Sequence, residues 1–134
     1  MRKQFLLPEE DLEFLGSQPL PWETVEDGGV KRVVIHDYPI PQGYSEIKVD
    51  FYFRLEPGYP DTQIDMVYFY PGLTRLDGIG INSIATEPFD GKSWQRWSRH
   101  RTPQNPWRVG IDNIGTQIGL VQEWLEKELR KKTA

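Results

Sequence analysis

Ser98 and His100 stand two residues apart in residues 91–107, GKSWQRWSRHRTPQNPW. A serine hydroxyl is a weak nucleophile at its own pKa and needs an adjacent base to take its proton. If residues 96–100 are extended, alternate side chains share a face, so Ser98 and His100 point the same way with the geometry that proton transfer wants. On that pattern Ser93 points the other way with Gln95 and Trp97, which makes it the second-choice nucleophile. Asp90 is a carboxylate that could orient His100, as in hydrolytic triads. Arg96, Arg99, Arg101 and Asn105, or the amides of the segment, could stabilise an oxyanion or hold a carboxylate, which the planar guanidinium pairs bidentately. Plainer readings stand beside these: a loop serine bonded to its own backbone, and a structural histidine beside arginines.

The same segment is set apart electrostatically. It carries Lys92, Arg96, Arg99 and Arg101 and no acidic residue, in a chain of net charge −4. It keeps neither strand alternation nor helical period throughout, so it reads as a long loop. Trp94 and Trp97 beside arginines have the composition of an interface hot spot, and equally that of core plugs beneath a solvated loop. Trp107 reads as an anchor fixing the loop to the following helix, and Tyr59 as packing beneath it. A stacking surface for single-stranded nucleic acid is a remote further reading, since the acidic remainder would repel a polyanion.

Composition narrows the classes. The 134 residues suit one domain, 1–134, with a core of its own. The absence of cysteine excludes disulfides, thiolate nucleophiles and thiolate-ligated zinc. Only His36 and His100 are available as imidazoles, no carboxylate spacing suggests a metal, and no cofactor is expected. No apolar run approaches the ~20 residues that span a bilayer. The apolar start at Phe5-Leu6-Leu7 stops at Pro8-Glu9-Glu10, short of a signal peptide, so the expected location is the cytoplasm.

The elements that must position the segment follow from periodicity. Residues 8–15, PEEDLEFL, place a proline and three acids in a first helical turn, predicting a short helix ended by Gly16. Residues 17–29 read as a connector anchored by Trp22. Residues 30–36, VKRVVIH, predict a first strand. Residues 44–55, YSEIKVDFYFRL, alternate strictly and predict an antiparallel strand with one face buried. Residues 64–70, IDMVYFY, predict a third strand, while residues 74–89 carry no clear pattern. From an N-cap at Asp112, the stripe Ile114, Ile118, Val121, Leu125 and Leu129 predicts an amphipathic helix with cations gathering at its end. Gly115 and Gly119 suggest a close approach on that helix. The sum is an α+β fold: an antiparallel β-meander flanked by a short N-terminal helix and a longer C-terminal amphipathic helix.

That order of elements, with the Gly58-Tyr59-Pro60 turn and the run from Trp94 to Asp112 (WQRWSRH, then W-R-x-G-x-D), resembles the prokaryotic conjugating-enzyme family E of the ubiquitin-conjugating-enzyme superfamily. The resemblance covers roughly residues 8–130. It implies a ubiquitin-like protein and a ThiF-type activating enzyme as partners; from hydropathy and charge, no membrane partner is expected and nucleic acid stays the remote reading. Ordinary conjugating enzymes carry the modifier as a thioester on cysteine, supported by a His-Pro-Asn. This chain has no cysteine, shows Tyr70-Pro71-Gly72 in the corresponding region, and offers only Asn82 and Asn105 near the loop. The resemblance therefore leaves two expectations: a serine oxyester on Ser98 with His100 as base, or an inactive module that binds the ubiquitin-like protein or its activating enzyme.

Overall fold

The computed structural model describes residues 1–133. Its order is α1 (Glu9–Ser17), β1 (Trp22–Asp27), β2 (Val30–Pro39), β3 (Lys48–Leu55), β4 (Val67–Tyr70), β5 (Ile84–Phe89), β6 (Lys92–Trp97) and α2 (Ile114–Arg130). The strands form one antiparallel sheet in the order β1-β2-β3-β4-β6-β5. This is the expected α+β arrangement with an N-terminal and a C-terminal helix, but the meander has six strands where three were expected. Among the described residues no helix is long and apolar enough to cross a membrane.

Three expectations are corrected. Residues 22–27 are a strand rather than a connector, paired with β2 across a two-residue turn whose residues, Gly28 and Gly29, both have positive φ. Residues 84–89, left unassigned, form β5. Residues 92–97, read as the start of a loop, form β6, joined to β5 by Asp90-Gly91 with φ of 55° and 74°. Both are the left-handed two-residue turns that match the twist of a β-hairpin.

Alternation divides the side chains into two cores. Phe51, Phe53, Phe69 and Trp97 point towards the helices and meet Leu15, Ile114, Val121 and Leu125. Val25, Val34, Tyr52, Tyr68, Phe89 and Trp94 pack on the opposite, helix-free face. That second face is partly covered by the sheet itself, with Arg54 and Arg96 left half-exposed. On a flat sheet Glu87 of β5 would lie roughly 14 Å from β3 and 19 Å from β2 at about 4.8 Å per strand. Instead it bonds Arg54 and Tyr52 and lies 3.9 Å from Arg32. The β5–β6 hairpin therefore curls back over the face, and its turn is tied to the N-terminal segment by Arg2 and Asp90 at 2.8 Å.

The helices meet through a buried carboxylate. Asp11 of α1 accepts from Tyr59 Oη at 2.7 Å and from the Ile114 amide at 3.1 Å, so it satisfies a free donor at the start of α2. The N-cap of α2 is Asn113 rather than Asp112, with a capping box to Thr116. Gly115 is required by the packing, because a Cβ there would stand 2.9 Å from the Phe14 ring; Gly119 faces open space.

Candidate functional site

Where β6 ends, the local backbone decides which groups can meet. The Ser98 amide donates to Ser83 O at 2.9 Å, continuing the β5–β6 ladder, and the Arg99 amide donates back to Trp97 O at 3.0 Å. An i to i+2 bond of this kind is a γ-turn, which bends the chain at its central residue, here Ser98. Ser98 follows Trp94 and Arg96 at a position of the helix-free face, whereas Arg99 reaches Glu128 of α2. The extended geometry that would pair Ser98 with His100 is therefore absent. No hydrogen bond among the described residues joins the Ser98 hydroxyl to either imidazole nitrogen.

His100 has a different partner. Its Nδ1 lies 2.6 Å from Asp65 Oδ1, with both side chains substantially exposed. The Met66 amide donates to Arg99 O at 3.1 Å, which pins the two segments together beside this pair. Met66 has φ of 63°. A left-handed conformation in an unbranched long side chain costs about 1–3 kcal/mol and persists only where its surroundings enforce it. The result is an imidazole with one nitrogen held by a carboxylate and no partner for Nε2 among the described residues, an arrangement suited to proton transfer or to donation towards an anion.

His100 lies at one end of a groove of 460 Å³ between the 98–108 segment and α2, lined among others by Arg101, Asn105, Trp124, Lys127 and Arg130. The three arginines expected to act together are separated. Arg96 is on the helix-free face. Arg99 lies over the Trp97 ring and pairs with Glu128 at 3.3 Å, next to Arg75 and Lys131 on the same buried carboxylate. Arg101 is nearly buried, stacks on Trp107, bonds Gln117 and lies 3.4 Å from Asp112. Burial lifts the Asp112 carboxyl, and hydrogen bonds from the Arg108 side chain and amide more than reverse this, leaving it lowered to about 2.

The remaining expected site residues distribute as follows. Ser93 is exposed, faces Pro88 across the hairpin, and has no imidazole bonded to it. Trp94 and Trp97 are 2% and 0% exposed, so the expectation that they present a partner surface is overturned: alternation in β6 sends one into each core. Asp90 binds Arg2 instead of orienting His100. Asn105 makes a long contact with Arg101, and Asn82 contributes only its carbonyl, to Arg99. Trp107 donates to Pro60 O at 3.0 Å and lies against Tyr59. Sequence reasoning missed Asp65 and Glu128; the first had no spacing signal, and the second was hidden among the other charges of α2.

Residues 7–128 match the profile of a known family, described as Prokaryotic E2 family E. The chain belongs to that family. E2 proteins are conjugating enzymes, so membership carries a conjugating-enzyme-like role, with a ubiquitin-like protein and its activating enzyme as the general kinds of partner. Comparison with curated proteins and with solved structures finds no match. In this Prokaryotic E2 family E chain the groove beside α2 is lined by His100, itself paired with Asp65, and no thiol is available to carry a thioester.

Proposed function

We propose that this chain works as a conjugating-enzyme-like module that engages a ubiquitin-like protein, or its ThiF-type activating enzyme, without carrying the modifier covalently. One observation supports the reading: no hydrogen bond among the described residues joins the Ser98 hydroxyl to His100, whose imidazole pairs with Asp65 just after a γ-turn centred on Ser98. The groove offers an alternative use for the same segment. His100, Lys127 and Arg130 line it together with Glu123 and Glu126, and a carboxylate-ended protein tail is a ligand that the cationic donors suit.

A serine oxyester is the second reading, favoured by the partial exposure of Ser98 and by its hydroxyl making no hydrogen bond among the described residues. In that reaction the activating enzyme's thioester C–S bond breaks, a C–O bond forms to Ser98, and the departing thiolate takes up the serine proton through a base that the partner brings. Mixing the chain with a ThiF-type activating enzyme, its ubiquitin-like protein and ATP separates the two. The expected outcome is measurable association by calorimetry and no hydroxide-labile adduct on a denaturing gel. An adduct that resists mild thiol reductant and disappears in Ser98→Ala would overturn the non-covalent reading in favour of the oxyester.

A further inference from the structure

The helix-free face holds an unbalanced cluster of charge remote from the groove. Arg32 and Arg54 are directly opposite each other on β2 and β3, a pairing of like charges that a sheet does not favour unless something offsets it. Arg96 joins them from β6, directly across from Tyr68. The one carboxylate among them is Glu87, which bonds Arg54 and approaches Arg32 at 3.9 Å. Three guanidiniums against one carboxylate leave 3 − 1 = +2.

The cluster is also short of acceptors. Arg32 is 5% exposed, yet its Nε and Nη1 have no partner, and Nε of Arg54 and of Arg96 are likewise unpaired. The Arg96 guanidinium makes no hydrogen bond or ion pair with any described residue. A buried donor left unpaired costs about 1–3 kcal/mol, so four such donors on three arginines of one face mark a place where an acceptor belongs. Burial lifts the Tyr68 phenol; Arg54, Arg96 and Arg32 pull it back while Glu87 adds to the rise. Arg54 and Arg96 are half-buried and flank the Tyr68 strand, about 10 Å apart laterally at ~4.8 Å per strand, close enough for two arginine side chains to converge on one anion.

We propose that this face binds a dianionic phosphate group, held by Arg54 and Arg96 beside Tyr68 with Arg32 behind them. Charge selects the ligand: a carboxylate would offset half of the +2 excess, whereas a phosphate at −1.5 to −2 matches it and supplies three strong acceptor oxygens. The site is independent of the groove, so it stands whether or not a ubiquitin-like partner is found.

The test titrates the full chain with inorganic phosphate at constant ionic strength, following backbone amide shifts by NMR with sodium chloride as the control. Saturable shifts centred on Arg54, Tyr68 and Arg96 are expected. Arg96→Gln, which removes no bond to the rest of the chain, should weaken binding about tenfold or more, as loss of one charge-assisted hydrogen bond does. Lys132→Gln should leave it unchanged. A parallel titration with phosphoserine separates sources: tighter binding than phosphate identifies a phosphorylated side chain, and equal or weaker binding a free phosphate. Shifts that never saturate, that chloride reproduces, or that Arg96→Gln leaves intact would mean an adventitious ion only and overturn the proposal.

Discussion

Residues 92–97 and residues 98–108 both mix tryptophan, arginine and small polar groups, yet the fold uses them in opposite ways. The first six are a strand with an apolar anchor on each face: Trp94 in the helix-free core and Trp97 among Tyr44, Phe69 and the helices. In the second, no side chain is fully buried, and the cations are tied to carboxylates brought from elsewhere, Arg99 to Glu128 and Arg101 to Asp112. An aromatic–cation composition thus does not itself mark a binding surface. What separates core from surface is whether the backbone keeps alternating, and it stops at the γ-turn centred on Ser98.

Stability should follow that division. Trp97→Ala empties a site with no exposure and is expected to destabilise the protein by about 3–5 kcal/mol, enough to unfold a marginal domain. Trp107→Ala removes a half-buried ring and one bond to Pro60 O, with an expected cost of about 1–2 kcal/mol. Urea unfolding of the two variants measures both. Equal losses would show that the second region is as much a part of the core as the first.

How far this was legible depended on where each signal sat. The alternation of β3 and the stripe of α2 are long and local, so the α+β arrangement was readable before any coordinates. The two hairpins that were missed also carried a local mark. Gly28-Gly29 and Asp90-Gly91 are the dipeptides that two-residue β-turns demand, and both sit directly between paired strand ends. They were overlooked because their strands are chemically untypical: β1 is acidic, and β6 is rich in tryptophan and arginine with both faces covered. The site itself was less legible. The Ser98–His100 spacing was a sound argument about an extended chain, defeated by one i to i+2 hydrogen bond that leaves no trace in composition. The pairing of His100 with Asp65 spans 35 positions and depends on the left-handed Met66, a tertiary outcome.

The second region's fixed points are electrostatic, and acid should expose them. The Asp112 carboxyl is lowered to about 2 in the folded chain, below its usual value of 3.8. Such a group contributes stability that is fully present above its unfolded pKa and is lost as pH falls through the folded one. The contribution should therefore fade between about pH 4 and pH 2. Asp112→Asn is expected to cost about 2 kcal/mol near neutral pH, where it weakens bonds from Arg108 and Arg101, and to flatten the stability profile across that acid window. Asp11 has the opposite sign, because burial raises its carboxyl, so Asp11→Asn should not remove the same slope. Thermal unfolding at a series of pH values distinguishes them. A profile unchanged by Asp112→Asn would detach this carboxylate from the stability of the segment.

The smallest effect is the most specific. His100 and Ser98 both lie at the edge of the fold, so His100→Gln and Ser98→Ala should each change stability by less than about 0.5 kcal/mol. What matters is their coupling. A double-mutant cycle isolates the interaction between two side chains from everything else that each one does. For His100→Gln with Asp65→Asn the coupling should be about 0.5 kcal/mol, the size of an exposed charge-assisted pair, and should shrink at high salt. For His100→Gln with Ser98→Ala it should lie within error of zero, because no hydrogen bond among the described residues joins the two side chains. Coupling in the second cycle and none in the first would restore the extended geometry that the γ-turn denies, and with it a serine that His100 could activate.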